Sequence, residues 1–402
     1  MNLLYISYWG IEEGLTQATV IPHIKILSHY DATKKIILVT VERGGKSGTQ
    51  FISDKTVHIP IRAGTFSWPY IAQVIDFIKI PFILKRYCVK YNIDKIIARG
   101  SLAGTLAYKV FKKTNIPFYV ESFEPHADYM GDTGVWYKWG LKYVLQKRWE
   151  IKQSLHASGL MTVTEGYADY LKARYKNGIR ILIVPCATDT HHFKYDPEDR
   201  RRIRKSLGFG ENQTVGIYAG KFGGLYLNLN ELAIIKELSR HFPGLGLILL
   251  TPTAEGIILK EIKRFNHSDV KIIVRNVPHQ AVSQYLSAAD FALSLNKSFP
   301  SGKYLSPVKI GEYWANGLPV LMTEGIGDEH EFLEAEKGGV LFNLKNLSLV
   351  LNKLDEIIGD PGHRDRIPDL AKKYRSFNTV KEAYLNLLFS QTNNHPTHLR
   401  KD

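Results

Sequence analysis

The sequence predicts an α/β protein of two doubly wound parallel sheets. Three observations carry this: the chain's length, a strand-helix alternation that runs through it twice, and a composition able to fill two cores. At 402 residues the chain is two to three times a typical domain, so two units with separate cores are expected. A hydrophobic content of 44%, 23% charged residues, 22 Tyr, 18 Phe and 6 Trp exclude a disordered chain. The two cysteines, Cys88 and Cys186, are too few and too distant for a disulfide framework or a thiolate metal cluster, so a reducing compartment is the expectation.

Apolar, β-branched runs mark the strands. In the first series they fall at 3–7, 36–41, 95–98, 118–121, 160–163 and 181–184, with helix-length patterns between most of them. The alternation restarts after residue 193, with strand-like runs at 215–218, 246–250, 271–274, 291–294 and 320–322 and helical segments at 230–241, 256–265, 279–288 and 307–316. Two consecutive βα series imply two Rossmann-like domains, 1–192 and 193–385, facing one another across a cleft. Val184-Pro185-Cys186-Ala187-Thr188-Asp189 reads as the joint, the charged stretch 195–206 opens the second series, and 391–402 reads as a disordered polar tail.

No apolar run approaches the roughly 18–20 residues that span a bilayer. The opening, MNLLYISYWGIEEG, lacks the basic n-region and long apolar stretch of a signal peptide, and a cytoplasmic location is expected. The net charge is +14, and residues 1–192 hold 25 Lys/Arg against 15 Asp/Glu. Residues 79–113 alone carry nine bases and one acid, Asp94. Such a patch favours an anionic partner, with a solvated basic face as the plain alternative. Segments 80–91 and 138–153 interleave bases with Phe82, Tyr87, Tyr91, Trp139, Tyr143 and Trp149, a composition suited to a lipid-linked acceptor and to peripheral contact with an anionic inner membrane face. Many of those rings could equally be core. Nucleic acid is not expected, because the basic run has none of the standard nucleic-acid motifs.

In open α/β sheets ligands bind beyond the carboxyl ends of the strands. There, in the second series, stand Gly220, Lys221, Phe222 and Gly223. Glycines after a buried strand let backbone N–H groups approach an anion, and Lys221 could place charge on a diphosphate. A tight turn is the simpler alternative. Further on, Ser306 and Pro307 suit the cap and first position of a short helix that Gly317 and Pro319 end. Lys309 and Glu312 are three apart and share its face. A carboxylate there can take two hydrogen bonds from a ribose diol while the lysine meets phosphate, although the pair could also be a surface ion pair.

These segments together resemble the retaining family 4 glycosyltransferases of the two-domain GT-B type. Residues 306–331 are similar to the family's P-x-K-x-x-E-Y-x-A-x-G-x-P-V pattern with its following Gly-rich turn and Glu, Val184-Pro185 through Asp189 and Phe193 to its interdomain signature, and Tyr218 to Lys221 to its phosphate loop. The resemblance implies that Glu312 holds the donor ribose and Lys221 the diphosphate. It places Lys309 at the sugar or phosphate, and Thr323, Gly325 and Gly327 in a turn lining the donor. It also implies that His126, after Glu124, stands in the cleft beside the transferred sugar. The family's earlier glutamate, eight positions before Glu312, is Tyr304 here, and its second basic residue after Lys221 is missing, which leaves Lys303 as the candidate supply of charge. Gly14 best matches the family's double-glycine turn.

The implied activity is transfer of a sugar from a nucleotide-diphosphate sugar to a glycan or lipid-linked acceptor, with retention, in cell-surface polysaccharide or glycoconjugate synthesis. The chain shows no obvious Asp-x-Asp pair, so no obligatory metal and no cofactor are expected, the lysines taking the place of a cation. A nucleotide-sugar epimerase of the same architecture and a catalytically silent, nucleotide-sugar-binding partner subunit are the alternatives.

Overall fold

The computed structural model describes residues 1–43, 48–64, 69–176, 178–222, 234–264, 270–343 and 346–389. Gly223, the start of the helix expected from residue 230, and the tail 391–402 lie outside them.

Seven parallel strands form the first sheet: β1 (Asn2–Ser7), β2 (Lys35–Glu42), β3 (Thr56–Arg62), β4 (Lys95–Arg99), β5 (Phe118–Phe123), β6 (Gly159–Thr162) and β7 (Ile181–Ile183). Their spatial order is β3-β2-β1-β4-β5-β6-β7. The second sheet has six: β8 (Val215–Ala219), β9 (Gly246–Leu250), β10 (Lys271–Arg275), β11 (Phe291–Ser294), β12 (Val320–Thr323) and β13 (Gly339–Phe342), in the order β10-β9-β8-β11-β12-β13. Both orders reverse beside the first strand of their series, which makes a switch point between β1 and β4 and another between β8 and β11. Helices cover both faces of such sheets, so the central strands read as continuous apolar runs. Leu3 to Ser7 and the whole of β9 are buried.

Two strands were not anticipated, β3 and β13, and both are sheet edges. Pro60 interrupts β3, which an edge tolerates because one side needs no ladder donor. The four residues of β13 begin with Gly339 at φ +155°, where an added Cβ would strike the backbone of Val320.

One core fills the second lobe around Ile217, Phe291, Trp314 and Leu321. The first sheet carries a core on each face. One of these joins Leu3, Tyr5, Ile24 and Leu38 to Val380, Ala383, Tyr384, Leu387 and Leu388. The helix Phe377–Tyr384 and the turn that extends it therefore pack on the first sheet, although they follow the second in the chain. Among the described residues the chain thus crosses between lobes twice, and the crossings lie side by side: Thr188 bridges Ser376 in parallel, and its N–H donates to the Arg375 carbonyl at 2.8 Å. Helix Val308–Ala315 abuts this seam at Gly311, where a Cβ would lie 3.1 Å from the Cβ atoms of both Arg375 and Thr188. No helix among the described residues is long and apolar enough to cross a membrane.

Candidate active site

The helix Val308–Ala315 is anchored by its apolar face. Ile310, Tyr313 and Trp314 are fully buried, each worth about 1.5–3 kcal/mol of apolar transfer. Trp314 Nε1 donates to the Gly338 carbonyl at 2.9 Å, and the Tyr313 hydroxyl accepts from Ala219 N–H at 2.9 Å and donates to the Leu293 carbonyl at 3.3 Å. Tyr313 thereby ties the helix to the carboxyl ends of β8 and β11, at the switch point. Gly317, at φ +72°, ends the helix where a Cβ would lie 2.8 Å from the Arg364 carbonyl oxygen.

This anchoring brings three expected residues together. Gly220 follows β8, its N–H donating to the Leu250 carbonyl at 2.9 Å, and a Cβ there would lie 3.1 Å from Lys309 Nζ. The Lys309 ammonium stands 4.4 Å from the centre of the Tyr218 ring, a cation–π contact. Burial pulls its pKa down to about 8, opposed by Glu312. Glu312 is 8% exposed, and its Oε1 lies 3.0 Å from His279 Nε2. That hydrogen bond raises the His279 pKa above 6.5 against the effect of burial. His279 also sets its ring edge-on to Phe193 at 5.4 Å.

Sequence reasoning missed His279 as a site residue. It was read as the start of a helix over 279–288; the structure has a 3₁₀ turn His279–Ala281 leading into helix Val282–Ala288. Its partner is 33 residues away, so no local spacing signals the pair.

Lys221 follows in the same turn with its side chain exposed, its carbonyl accepting the Tyr218 hydroxyl at 2.6 Å. Lys303 is exposed and lies 5.2 Å over the ring of Tyr304. Ser306 does not cap the helix as expected. Pro307 occupies the cap position and the helix starts at Val308, while Ser306 Oγ accepts from Cys186 N–H at 3.2 Å and from the Arg375 guanidinium. The buried Arg375 needs acceptors more than the helix end does, and Glu329 supplies the paired carboxylate. Thr323 Oγ1 accepts from Asn296 N–H at 3.1 Å. Gly325 and Gly327 have φ of +80° and +69°, and Gly327 N–H donates to the Gly302 carbonyl at 3.0 Å.

From the first lobe, His126 opens helix His126–Asp132 directly beyond β5. Its Nδ1 is 3.5 Å from Glu124 Oε1, its ring meets Trp136 edge-on at 5.4 Å, and its buried Nε2 has no hydrogen-bond partner among the described residues. Beneath it the buried Glu150 accepts from Ala127 N–H at 2.9 Å, and burial pushes the Glu150 pKa up to about 8. The far end of this helix touches the second lobe: Asp132 Oδ2 accepts from Ser301 N–H at 3.0 Å and from its hydroxyl at 2.7 Å, and Tyr129 packs on Phe299. Tyr304 lies against Tyr167 and Tyr170, with ring centres 5.2 and 6.1 Å away. Gly14, first residue of helix Gly14–Thr19 beyond β1, is exposed and a Cβ there would meet none of the described residues within 4 Å.

Two parallel, Rossmann-like sheets of seven and six strands in these orders define the GT-B class of fold. Solved structures share it over nearly the whole chain. Sucrose-phosphate synthase from Thermosynechococcus elongatus is similar with a TM-score of 0.74 at 15% identity, over 96% of this chain and 98% of its own. Anabaena HepE, solved with UDP and glucose, gives 0.69 at 15%, covering 97% and 100%. WaaG, a glycosyltransferase involved in lipopolysaccharide biosynthesis, gives 0.68 at 16%, covering 96% and 100%. At these identities the likeness is one of fold. No protein-family model and no curated protein sequence matches the chain.

Proposed function

We propose that this chain is a glycosyltransferase of the retaining family 4 kind, which moves a sugar from a nucleoside-diphosphate sugar to a lipid-linked or glycan acceptor in the synthesis of cell-surface glycans. One observation carries the reading: Gly220, Lys309 and Glu312 converge at the switch point of the second sheet, where a glycine turn, a cation and a carboxylate match a diphosphate and a ribose diol. Glu312 accepts the diol hydroxyls. Lys309 and the exposed Lys221 stabilise the charge that develops on the leaving diphosphate, the electrostatic contribution that commonly dominates such transfers. Thr323, Gly325 and Gly327 line the sugar. His126, presented from the opposite lobe, stands beside the transferred group.

The donor is tested first with UDP-glucose, the ligand class of the Anabaena structures, and then with ADP-glucose and GDP-mannose. Titration calorimetry is expected to show binding of one of them, weakened about tenfold or more by Glu312→Ala, a loss of about 1.4 kcal/mol. Equal affinity in the variant would remove Glu312 from the site, and a wild-type protein that binds none of the three would end the reading.

The first lobe supports an acceptor held at an anionic membrane surface. Helix Pro69–Lys90 exposes Val74, Ile78, Phe82 and Val89 between Lys79, Lys85, Arg86 and Lys90. Tyr137, Trp139 and Leu141 stand 86%, 74% and 77% exposed around Lys138. Apolar and aromatic side chains ringed by ammonium and guanidinium groups fit the headgroup layer of a bilayer.

A further inference from the structure

We propose that His279 is the positioning residue of the donor pocket, holding one oxygen of the Glu312 carboxylate so that the other is presented to the ribose diol. The inference rests on the donor site described above and adds a residue to it. A glutamate on a short helix has several rotamers, and a carboxylate that must accept two hydroxyls is effective only in one. His279 removes that freedom. It arrives from the loop after β10, on the far side of β9 and β8 from the helix, and sets Nε2 at 3.0 Å from Glu312 Oε1. Its own ring is held edge-on by Phe193, from the segment that follows the first interlobe crossing.

The contact also settles a charge problem. A bare carboxylate beside a diphosphate repels it, whereas a carboxylate paired with an imidazolium does not. Among the described residues, Lys309 and Tyr313 on the short helix act on Glu312 and Tyr218 lies under the Lys309 ammonium, while Asp189, His192 and Lys194 sit on the segment that carries Phe193. The hydrogen bond to Glu312 raises the His279 pKa above 6.5, and burial sets Lys309 at about 8. Donor affinity therefore falls as pH rises, with the loss of the imidazolium and of the ammonium charge.

The test is titration calorimetry of UDP-glucose, ADP-glucose and GDP-mannose, whose diester phosphates do not titrate over the range, from about pH 6 to 9. Wild-type protein is compared with His279→Ala and His279→Gln. His279→Ala is expected to weaken binding about tenfold or more throughout. His279→Gln keeps a donor for Glu312 but cannot charge, so it should restore most of the lost affinity and fall less steeply than wild type as pH rises. If His279→Ala fails to fold, His279→Phe, which keeps a ring and loses the hydrogen bond, takes its place. Affinity of the variant without the hydrogen bond equal to wild type at every pH overturns the proposal and leaves the Glu312 assignment standing. Absence of binding by wild-type protein overturns both.

Discussion

The hydroxyl of Tyr384 lies 2.5 Å from Glu121 Oε2 and 2.8 Å from His23 Nδ1, which is itself 2.8 Å from the same carboxylate oxygen. This buried triangle fastens the helix Phe377–Tyr384 to β5, inside the first sheet, and Arg99 stands 3.8 Å away. Tyr384→Phe leaves the fully buried carboxylate one donor short. The expected cost is about 1–3 kcal/mol, read as a lower urea midpoint with unchanged donor affinity. An unaltered midpoint would show the bond to be dispensable.

Acid should weaken the fold through the same triangle. Burial pushes His23 below 6.5, and although burial also raises Glu121, His23, Arg99 and Tyr384 outweigh it and hold that carboxyl below 4.5. Both folded values are depressed, so both contributions are present at neutral pH and lost on acidification, His23 first below 6.5 and Glu121 further down below 4.5. Urea midpoints followed from neutral to acid pH should fall in that sequence. Glu121→Gln should flatten the lower part, and a wild-type curve flat through both windows would contradict the assignment.

Asp132 and Ser301 hold the lobes together on the side of the His126 helix. Burial would raise the Asp132 pKa, yet the two bonds from Ser301 and the Lys138 ammonium at 2.9 Å keep it below 3.8. Asp132→Ala is expected to loosen the closed arrangement, seen as a larger radius of gyration in small-angle scattering. The same scattering curve for both proteins would mean that the ring contacts of Phe299 and Tyr304 suffice.

Membrane contact is expected to depend on the exposed aromatic group. Wild-type protein should sediment with phosphatidylglycerol-containing vesicles at low salt and be released as salt screens the basic face. The double variant Tyr137→Ala, Trp139→Ala should sediment several-fold less. Wild-type protein that stays in the supernatant at low salt would rule this surface out.

The central strands were legible because burial on both faces writes itself as an unbroken apolar run, as in β1 and β9. The edges β3 and β13 were not, since an edge needs fewer apolar residues and admits Pro60. The short helix bearing Lys309 and Glu312 was bounded by local signals, Pro307 before it and Gly317 after it. What Ser306 bonds to was illegible, because Arg375 reaches it from 69 residues away. The same holds for His279. The amphipathic pattern of helix Phe377–Tyr384 tells that one face is covered, while the covering surface, the first sheet, is a matter of tertiary arrangement.

That arrangement has a consequence for how the chain is made. A ribosome releases the N-terminal lobe early, yet Leu3, Tyr5, Ile24 and Leu38 cannot complete their packing until Val380, Tyr384 and Leu387 emerge. Each large apolar side chain left wet in the interval forfeits about 1.5–3 kcal/mol. The nascent first lobe is therefore unfinished until the segment that follows the second lobe has been made, and a truncation before residue 377 would damage the half of the molecule it leaves nominally intact.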